Sequence, residues 1–284
     1  MNNRESTFLS CFYWDYCNAS LLSIFQVYAK ATDSKGYNII MVQNNLETET
    51  MNLSLQKEPV LKLVKKERKL IKSKERVQHH GEVFTPNWMV KKMLAEPSIQ
   101  EKLHDLHATF LEPSAGEGAF LVEILNQKLD YVDKISSKTN WTINALWALM
   151  SIYGIELLQD NLLVARSRMM EVVAKHYKKV LKKDLSHRTD FYRATNFVIK
   201  TNIVQGNALT YKNHAKQLIQ FSDWQPIDKK QVKRETFTFK SMFDGSDDGQ
   251  IDEQLDLFHL DEPASTIEYA VCPVTKIYKE EKTK

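Results

Sequence analysis

Short apolar runs alternate with stretches of helical periodicity along the middle of this chain. An apolar run from Ala108 to Leu111 predicts a buried strand, and apolar residues at helical spacing follow from Ala119 to Leu129. The succession of helix and strand returns in Trp141 to Met150 and Ile152 to Ile155, after which Leu157 to His176 is helical. Strands that alternate with helices are typical of an α/β fold.

Strand-like patterns continue more weakly in the second half of the chain. Phe197 to Lys200 and Ile203 to Leu209 together make the third strand signal of the central region. From Tyr211 onward the pattern fades. There, Phe221 to Trp224 and Thr236 to Phe239 predict short strands of a small appendage.

The two ends of the chain are less regular. Cys11 to Ala29 predicts a helix with an aromatic face, which gives the α/β domain a helical N-terminal region. Asp244 to Glu262 is acidic and contains Gly and Ser, which is typical of a disordered tail, and Lys276 to Lys284 is expected to be frayed. The predicted segments are an N-terminal extension (1–55), a basic amphipathic helix (56–80), a central domain (81–212), a small appendage (213–243) and an acidic flexible tail (244–284).

Composition narrows the class of protein further. The 284 residues are 43% hydrophobic and 26% charged, which is ordinary for a globular protein with a sizeable core. Cys11, Cys17 and Cys272 lack metal-ligand spacing and cannot all pair, so we expect a cytoplasmic protein without disulfides or a cysteine metal site. No apolar run is long enough to span a bilayer, and residues 8–30 lack the basic start and cleavage site of a signal peptide.

The net charge of +3 is small, so binding of nucleic acid would need a local basic patch. Such a patch is predicted within the amphipathic helix from Lys57 to Arg76. One interpretation is a solvated helix face. The other is contact with DNA phosphates, whose affinity would fall steeply with salt. The candidate DNA-binding residues are Lys65, Lys66, Arg68 and Lys69.

A glycine-containing turn separates the first central strand from its helix. The segment from Phe110 to Leu121 places Gly116 and Gly118 directly after the strand. Glycine has no Cβ, so these positions can adopt positive φ and leave room for a ligand. The following helix presents unpaired N–H groups at its start, a layout that suits a nucleotide-like ligand. A bare turn between strand and helix is the alternative.

Polar residues follow the other two central strands as well. Glu156 ends the second strand, where a carboxylate can accept hydrogen bonds from ribose hydroxyls, or it is only an N-terminal charge of the next helix. Asn207 follows the third strand, where its amide can face an adenine edge or simply form a turn. Upstream, Thr85-Pro86 predicts a helix start, with Thr as the cap and Pro in the first turn.

Four segments of the chain together resemble N6-adenine DNA methyltransferases of the type I modification-subunit and type IIG kind. The resemblance covers residues 76–211 and implies a truncated Rossmann-like sheet that binds S-adenosylmethionine. The four segments, in chain order, are Gly81 to Pro86, Leu111 to Gly118, Ile152 to Glu156 and Asn202 to Leu209.

The resemblance also implies roles for individual residues. Thr85 and the turn from Ala115 to Gly118 would line the methionine part of the cofactor, Glu156 would hold the ribose, and Asn207 would face the adenine. The full set of implied cofactor-binding residues is Thr85, Pro86, Glu112, Pro113, Ser114, Ala115, Gly116, Gly118, Glu156 and Asn207.

One motif of that family is missing. Its members carry an Asn/Asp-Pro-Pro-Tyr/Phe motif that holds a flipped adenine, whereas no two of the seven prolines here are adjacent and Asp223-Trp224 is the nearest polar–aromatic pair. The catalytic residues are therefore unknown. The resemblance leaves three hypotheses open. The chain is an adenine methyltransferase completed by a second methyltransferase or specificity subunit, or it is a catalytically inactive, DNA-associated accessory protein. A methyltransferase with a non-DNA substrate is the third, which the resemblance disfavours.

A second resemblance lies in the acidic tail. Gln254 to Phe258 is similar to the short motif by which bacterial proteins bind the replication sliding clamp. Apolar side chains in a disordered acidic segment are not stabilised by packing on one another, which favours their binding to a partner protein. The alternative is that this segment forms a strand that packs on the domain. The candidate partner-binding residues are Gln254, Leu255, Leu257 and Phe258.

Overall fold

The computed structural model of the chain describes residues 85–242, 266–279 and 281–282, together with two strands near the N-terminus. Those strands, β1 (Phe25–Thr32) and β2 (Asn38–Asn44), form an antiparallel hairpin. The predicted helix from Cys11 to Ala29 is therefore wrong where the structure describes it, at residues 25–29. Aromatic and β-branched residues favour strands, and pairing with β2 satisfies the backbone groups that a helix would otherwise satisfy internally.

The centre of the fold is a three-stranded parallel sheet in the order β3-β4-β5. Its strands are β3 (Phe110–Glu112), β4 (Ile152–Glu156) and β5 (Ile203–Gln205), as predicted. Every residue of β3 and β4 is buried, because a parallel sheet is covered by helices on both faces. The prediction of a mixed α/β fold is thus confirmed.

In the described part of the chain, six α-helices surround or precede this sheet. α3 (Ala119–Ile135) and α4 (Trp141–Met150) connect β3 to β4, and α5 (Gln159–Leu181) and α6 (Asp190–Asn202) connect β4 to β5. Two shorter helices, α1 (Asn87–Leu94) and α2 (Pro97–Leu103), come before β3 and pack against α3. None of the described helices has the length and apolar composition that crossing a membrane requires.

Two local predictions need correction. Residues 197–200 are helical, because Val198 and Ile199 continue the buried face of α6; a four-residue apolar run does not by itself distinguish helix from strand. Pro86, not Thr85, is the N-cap of α1. Its carbonyl accepts hydrogen bonds from the N–H groups of Met89 and Val90, and no side chain caps the helix.

The predicted appendage strands are confirmed and share the core of the central domain. β6 (Gln220–Pro226) and β7 (Gln231–Thr238) form an antiparallel hairpin, which β8 (Cys272–Pro273) extends. The Tyr153 hydroxyl of β4 donates to the carbonyl of Ser222 at 2.7 Å. On the same hairpin, Trp224 Nε1 donates to Asn202 Oδ1 of α6 at 3.0 Å.

The C-terminal segment is also part of the fold. Short 3₁₀ helices occupy Lys240–Met242 and Val274–Lys279, and the second of these packs against α6. Val274 is 0% exposed and Ile277 1% exposed. The expectation of a flexible tail with a frayed end is therefore wrong for residues 266–279. The many charged residues of this stretch led to the prediction of a frayed end. Its apolar residues are buried by packing partners that are distant in the sequence.

Arg234 of β7 ties these parts together. Its guanidinium lies 5.4 Å from the ring centroids of Phe197 and Trp224 and 4.4 Å from that of Tyr269. Its Nε also donates to Ser222 Oγ at 2.7 Å. A planar guanidinium stacks well on aromatic faces, so this one side chain joins α6, the β6–β7 hairpin and the C-terminal segment.

Candidate functional site

The glycine turn lies at the carboxyl end of β3. Gly116 has φ of 53° and Gly118 has φ of 79°, a left-handed conformation that costs little only for glycine. The Gly118 N–H donates to the carbonyl of Ala115 at 2.8 Å, which closes the turn. The Ala115 N–H donates to the carbonyl of Ile155 at 2.9 Å, so β4 also fixes the position of the turn.

The two glycines serve different purposes. A Cβ on Gly116 would meet no atom within 4 Å, so the backbone there borders open space. A Cβ on Gly118 would lie 2.9 Å from Cβ of Ala165 on α5, a distance that real Cβ atoms do not show. Gly118 is therefore needed for close packing of α3 against α5, whereas Gly116 leaves space that a ligand can occupy.

Glu156 lies beside this turn and is 6% exposed. Its Oε2 accepts a hydrogen bond from the Gly116 N–H at 2.6 Å. Its Oε1 accepts from the Leu158 N–H at 2.9 Å and from Asn161 Nδ2 at 3.4 Å. Leu158 is the N-cap of α5, so the carboxylate contacts both the helix start and the glycine turn. It is thus part of the turn region as well as a charge at a helix terminus.

A second buried carboxyl group, that of Glu112, lies at the end of β3. The Ser114 N–H donates to its Oε1 at 3.1 Å, while Pro113 is half-buried and Ser114 is exposed. Burial raises the pKa of Glu112 to about 8, and the nearby charge of Glu156 adds to the increase. A cation bound near Glu112 and Glu156 would stabilise the ionised form of Glu112 and so lower its pKa again.

The end of β5 completes this edge of the sheet. The Gly206 N–H donates to the carbonyl of Glu156 at 3.0 Å, and a Cβ on Gly206 would lie 2.5 Å from Cδ1 of Ile219. Asn207 Oδ1 accepts from the Leu209 N–H at 2.9 Å. This hydrogen bond is the one expected of a simple turn, so the amide oxygen of Asn207 has a structural role.

The remaining predicted site residues are less closely connected. Thr85 and Pro86 are half-buried at the start of α1, and within residues 85–242 no hydrogen bond joins them to the glycine turn. The predicted DNA-binding residues Lys65, Lys66, Arg68 and Lys69 lie outside the described residues, as do Gln254, Leu255, Leu257 and Phe258.

Sequence reasoning missed an arginine that supports the turn. Arg168 Nη1 on α5 donates to the carbonyl of Glu117 at 2.6 Å. Arg166 on the same helix donates to the carbonyl of Ile203, from Nε at 2.9 Å and from Nη2 at 2.6 Å. Helical periodicity assigns charged residues to the solvent face, and no local signal reveals that these two reach backbone carbonyls of the neighbouring elements.

A buried lysine lies at the opposite end of the strands. Lys128 Nζ donates to the carbonyls of Asp105 and Ala108, both at 2.7 Å, and to Ser151 Oγ at 2.8 Å. Burial lowers the pKa of Lys128 to about 7. These contacts anchor the segments that lead into β3 and β4, so Lys128 serves the fold and not the site.

One cluster has the composition of a metal site, namely Asp130, Asp133 and His176. Burial tends to raise the pKa of Asp133, but hydrogen bonds from Lys179, Trp141 and His176 hold it below its ordinary value. Both ring nitrogens of His176 also have partners, Asp133 Oδ2 at 2.9 Å and Asn126 Oδ1 at 3.2 Å. Because Lys179 supplies the positive charge, the cluster is a polar network that joins α3 to α4 and α5.

We predict that Glu112→Gln removes a pH-dependent loss of stability. Between an ordinary pKa of 4.5 and the raised pKa of about 8, the folded chain holds a proton that the unfolded chain releases. The stability associated with Glu112 is therefore complete below pH 4.5 and decreases as the pH rises to 8, by on the order of a few kcal/mol. Urea unfolding of both proteins at pH 6 and pH 9 measures this difference.

The exposed Glu101 supplies the matched control for this experiment. Glu101→Gln removes the same charge without changing a buried carboxyl group, so its stability should follow that of the unmodified chain. Equal pH dependence in Glu112→Gln and the unmodified chain would show that Glu112 titrates normally.

Comparison of the chain with protein-family models, curated proteins and solved structures gave no match. Function must therefore be inferred from the chemistry of this site. At one edge of a parallel sheet, the structure brings together an open glycine turn, two buried carboxyl groups and the start of α3. In open α/β sheets, the carboxyl ends of the strands are the usual place for a ligand.

Proposed function

We propose that this chain binds S-adenosylmethionine and is part of an N6-adenine DNA methyltransferase of a restriction–modification or mobile-element system. The observation that carries the proposal is the pairing of Gly116, which borders open space, with the buried carboxylate of Glu156 at 2.6 Å. Bound S-adenosylmethionine supplies an electrophilic methyl group on a positively charged sulfur.

The residues at the sheet edge fit such a ligand. Backbone at Gly116 can approach the cofactor closely, because no side chain fills that space. Glu156 would accept hydrogen bonds from the ribose hydroxyls by sharing or exchanging those it now receives. Glu112 would favour the positive charge of the cofactor, since a nearby cation stabilises a buried carboxylate.

On this proposal, the residues that carry out methyl transfer belong to another polypeptide. Trp224, of the nearest polar–aromatic pair, is buried with its ring against Arg234 and its indole N–H on Asn202. It is a core residue and does not provide a platform for a flipped base. We therefore propose that a second methyltransferase polypeptide or a specificity subunit supplies the adenine-binding motif, and that an adjacent reading frame beginning with a strand and Asn-Pro-Pro-Tyr encodes it.

We predict that the purified chain alone transfers little methyl to DNA. The assay is incorporation of tritiated methyl groups from S-adenosylmethionine into unmethylated plasmid, with an active adenine methyltransferase as the positive control. Incorporation near background is expected, because the sequence contains no Pro-Pro motif. Incorporation at the rate of the control enzyme would contradict the need for a partner.

The absence of the catalytic motif also favours a second candidate function, that of a catalytically inactive, cofactor-binding accessory protein on DNA. This candidate retains cofactor binding and differs in what happens when a partner is present. If the chain binds cofactor and DNA but stays inactive with the product of the adjacent frame, the accessory role is favoured. Docking on the replication sliding clamp through Gln254, Leu255, Leu257 and Phe258 would suit this role.

A further inference from the structure

We propose that a basic face, far from the sheet edge that holds the glycine turn, binds the phosphate backbone of nucleic acid. This basic face joins the loop after α5, the first turn of α6 and the C-terminal 3₁₀ helix. Its members are exposed and carry no ion pair among the described residues: Lys182, Lys183, Arg188, Arg193, Lys276 and Lys279.

The basic face is assembled by contacts between distant parts of the sequence. The Tyr278 hydroxyl donates to Asp190 Oδ1 at 2.5 Å, which fixes the C-terminal 3₁₀ helix to the start of α6. The Tyr278 ring lies 5.7 Å from the guanidinium of Arg193 and 5.8 Å from Nζ of Lys279. The hydrogen bond from Tyr278, followed by the charges of Lys276, Lys279 and Arg193, lowers the pKa of Asp190.

Arg188 is held close to this junction by the loop that contains it. The His187 ring packs edge-on against Tyr192 at a centroid distance of 5.8 Å. Thr189 caps α6, its Oγ1 accepting from the Tyr192 N–H at 3.2 Å. Arg193 therefore lies close to Lys276 and Lys279 around Tyr278 and Asp190, although more than eighty positions separate them in the sequence.

The chemistry of the basic face favours nucleic acid over other partners. Residues 182–193 and 276–279 contain six Lys or Arg and two Asp. Asp184 pairs with Lys178 at 2.8 Å, and Asp190 is occupied by Tyr278. None of the large hydrophobic residues exposed on the described chain lies in these two stretches, so the face lacks anchors for a membrane or an apolar protein surface. Clustered cations interleaved with Tyr and His suit a phosphate backbone.

The position of the basic face separates it from the candidate cofactor site. α5 begins three residues after Glu156, and its 23 residues extend about 34 Å to the loop that carries Lys182. Nucleic acid bound there would therefore hold the protein on its substrate without presenting a base to the glycine turn. This inference does not depend on cofactor binding, and it is tested without cofactor.

The test is fluorescence anisotropy of the full chain with a labelled 20-base-pair duplex, titrated at several KCl concentrations. The variant is Arg193→Gln, Lys276→Gln and Lys279→Gln together. A matched variant, Lys138→Gln, Lys216→Gln and Lys229→Gln, removes the same charge from exposed lysines elsewhere. We expect the first variant to bind more than tenfold more weakly, with a salt slope smaller by roughly two to three, and the matched variant to bind normally.

Other outcomes overturn the proposal. Equal losses in the two variants would show a general charge effect, and unchanged binding in both would exclude the basic face. Loss only on neutralising Lys65, Lys66, Arg68 and Lys69 would assign DNA binding to the predicted N-terminal helix instead. Binding to vesicles of phosphatidylserine and phosphatidylcholine, but not to the duplex, would identify a membrane surface as the partner. Thermal melting of each variant establishes that it is folded.

Discussion

Gly116→Ala is expected to weaken S-adenosylmethionine binding at least tenfold while the chain stays folded. A Cβ at this position meets no protein atom within 4 Å, so it disturbs nothing in the free protein beyond the left-handed backbone at φ of 53°. That conformation costs a non-glycine residue about 1–2 kcal/mol. The added methyl group would occupy the space where the cofactor approaches the backbone. Calorimetric titration with cofactor and urea unfolding measure the two effects separately.

Gly118→Ala is the matched variant, because it adds the same methyl group two residues further along the chain. At that position the methyl group affects the packing of two helices and not the open space beside Gly116. Its Cβ would lie 2.9 Å from Cβ of Ala165 and 3.1 Å from Cα of the same residue, so α3 and α5 must move apart. Overpacking costs about 1–3 kcal/mol beyond the backbone strain. We expect the larger loss of stability here. If Gly116→Ala binds cofactor normally, the open space beside Gly116 is not the ligand site.

Glu156→Ala is expected to weaken cofactor binding by more than tenfold as well, for two reasons. The variant lacks the acceptor that the ribose hydroxyls would use. It also leaves the N–H groups of Gly116 and Leu158 without their present partner, which loosens the turn and the start of α5. An unsatisfied buried donor costs about 1–3 kcal/mol, so unfolding should become easier too. Calorimetric titration measures the affinity and thermal melting the stability.

Two further variants separate those reasons. Glu156→Gln keeps one acceptor oxygen, so it can satisfy the N–H group of Gly116 or of Leu158 but not both. We therefore expect it to lie between the unmodified chain and Glu156→Ala in both stability and affinity. Glu101→Ala, on the exposed surface of α2, should change neither quantity. Unaltered affinity in Glu156→Ala would refute the ribose role and leave Glu156 as a purely structural group at the start of α5.

If methyl transfer is divided between this chain and a partner, as proposed, the candidate cofactor site can be well formed in a chain without a catalytic motif. The carboxylate of Glu156 accepts from the Gly116 N–H and its backbone carbonyl accepts from the Gly206 N–H, so hydrogen bonds link the ends of all three strands of the central sheet. Arg168 supports the turn from α5 at the carbonyl of Glu117. All of these hydrogen bonds lie within the chain, so we expect the proposed cofactor binding not to need the partner, whereas methyl transfer should need it.

The sequence by itself determined the central elements, because their signals are local. The apolar run before Glu112, the periodicity from Trp141 to Met150 and the strand ending at Glu156 each depend on residues close in the chain. The positive φ angles at Gly116 and Gly118 were likewise expected from residue type and spacing. The turn role of Asn207 was one of two interpretations that the sequence left open.

Only the tertiary structure decided the features that depend on distant partners. Pairing with β2 makes residues 25–29 a strand. Packing on α6 buries Val274 and Ile277, although the charged residues around them had suggested a frayed end. The different roles of Gly116 and Gly118 follow from the position of α5. This helix places Ala165 against Gly118, whereas a Cβ on Gly116 would meet no atom within 4 Å. The raised pKa of Glu112 and the joining of Arg193 with Lys279 likewise depend on burial and on long-range contacts that no local pattern encodes.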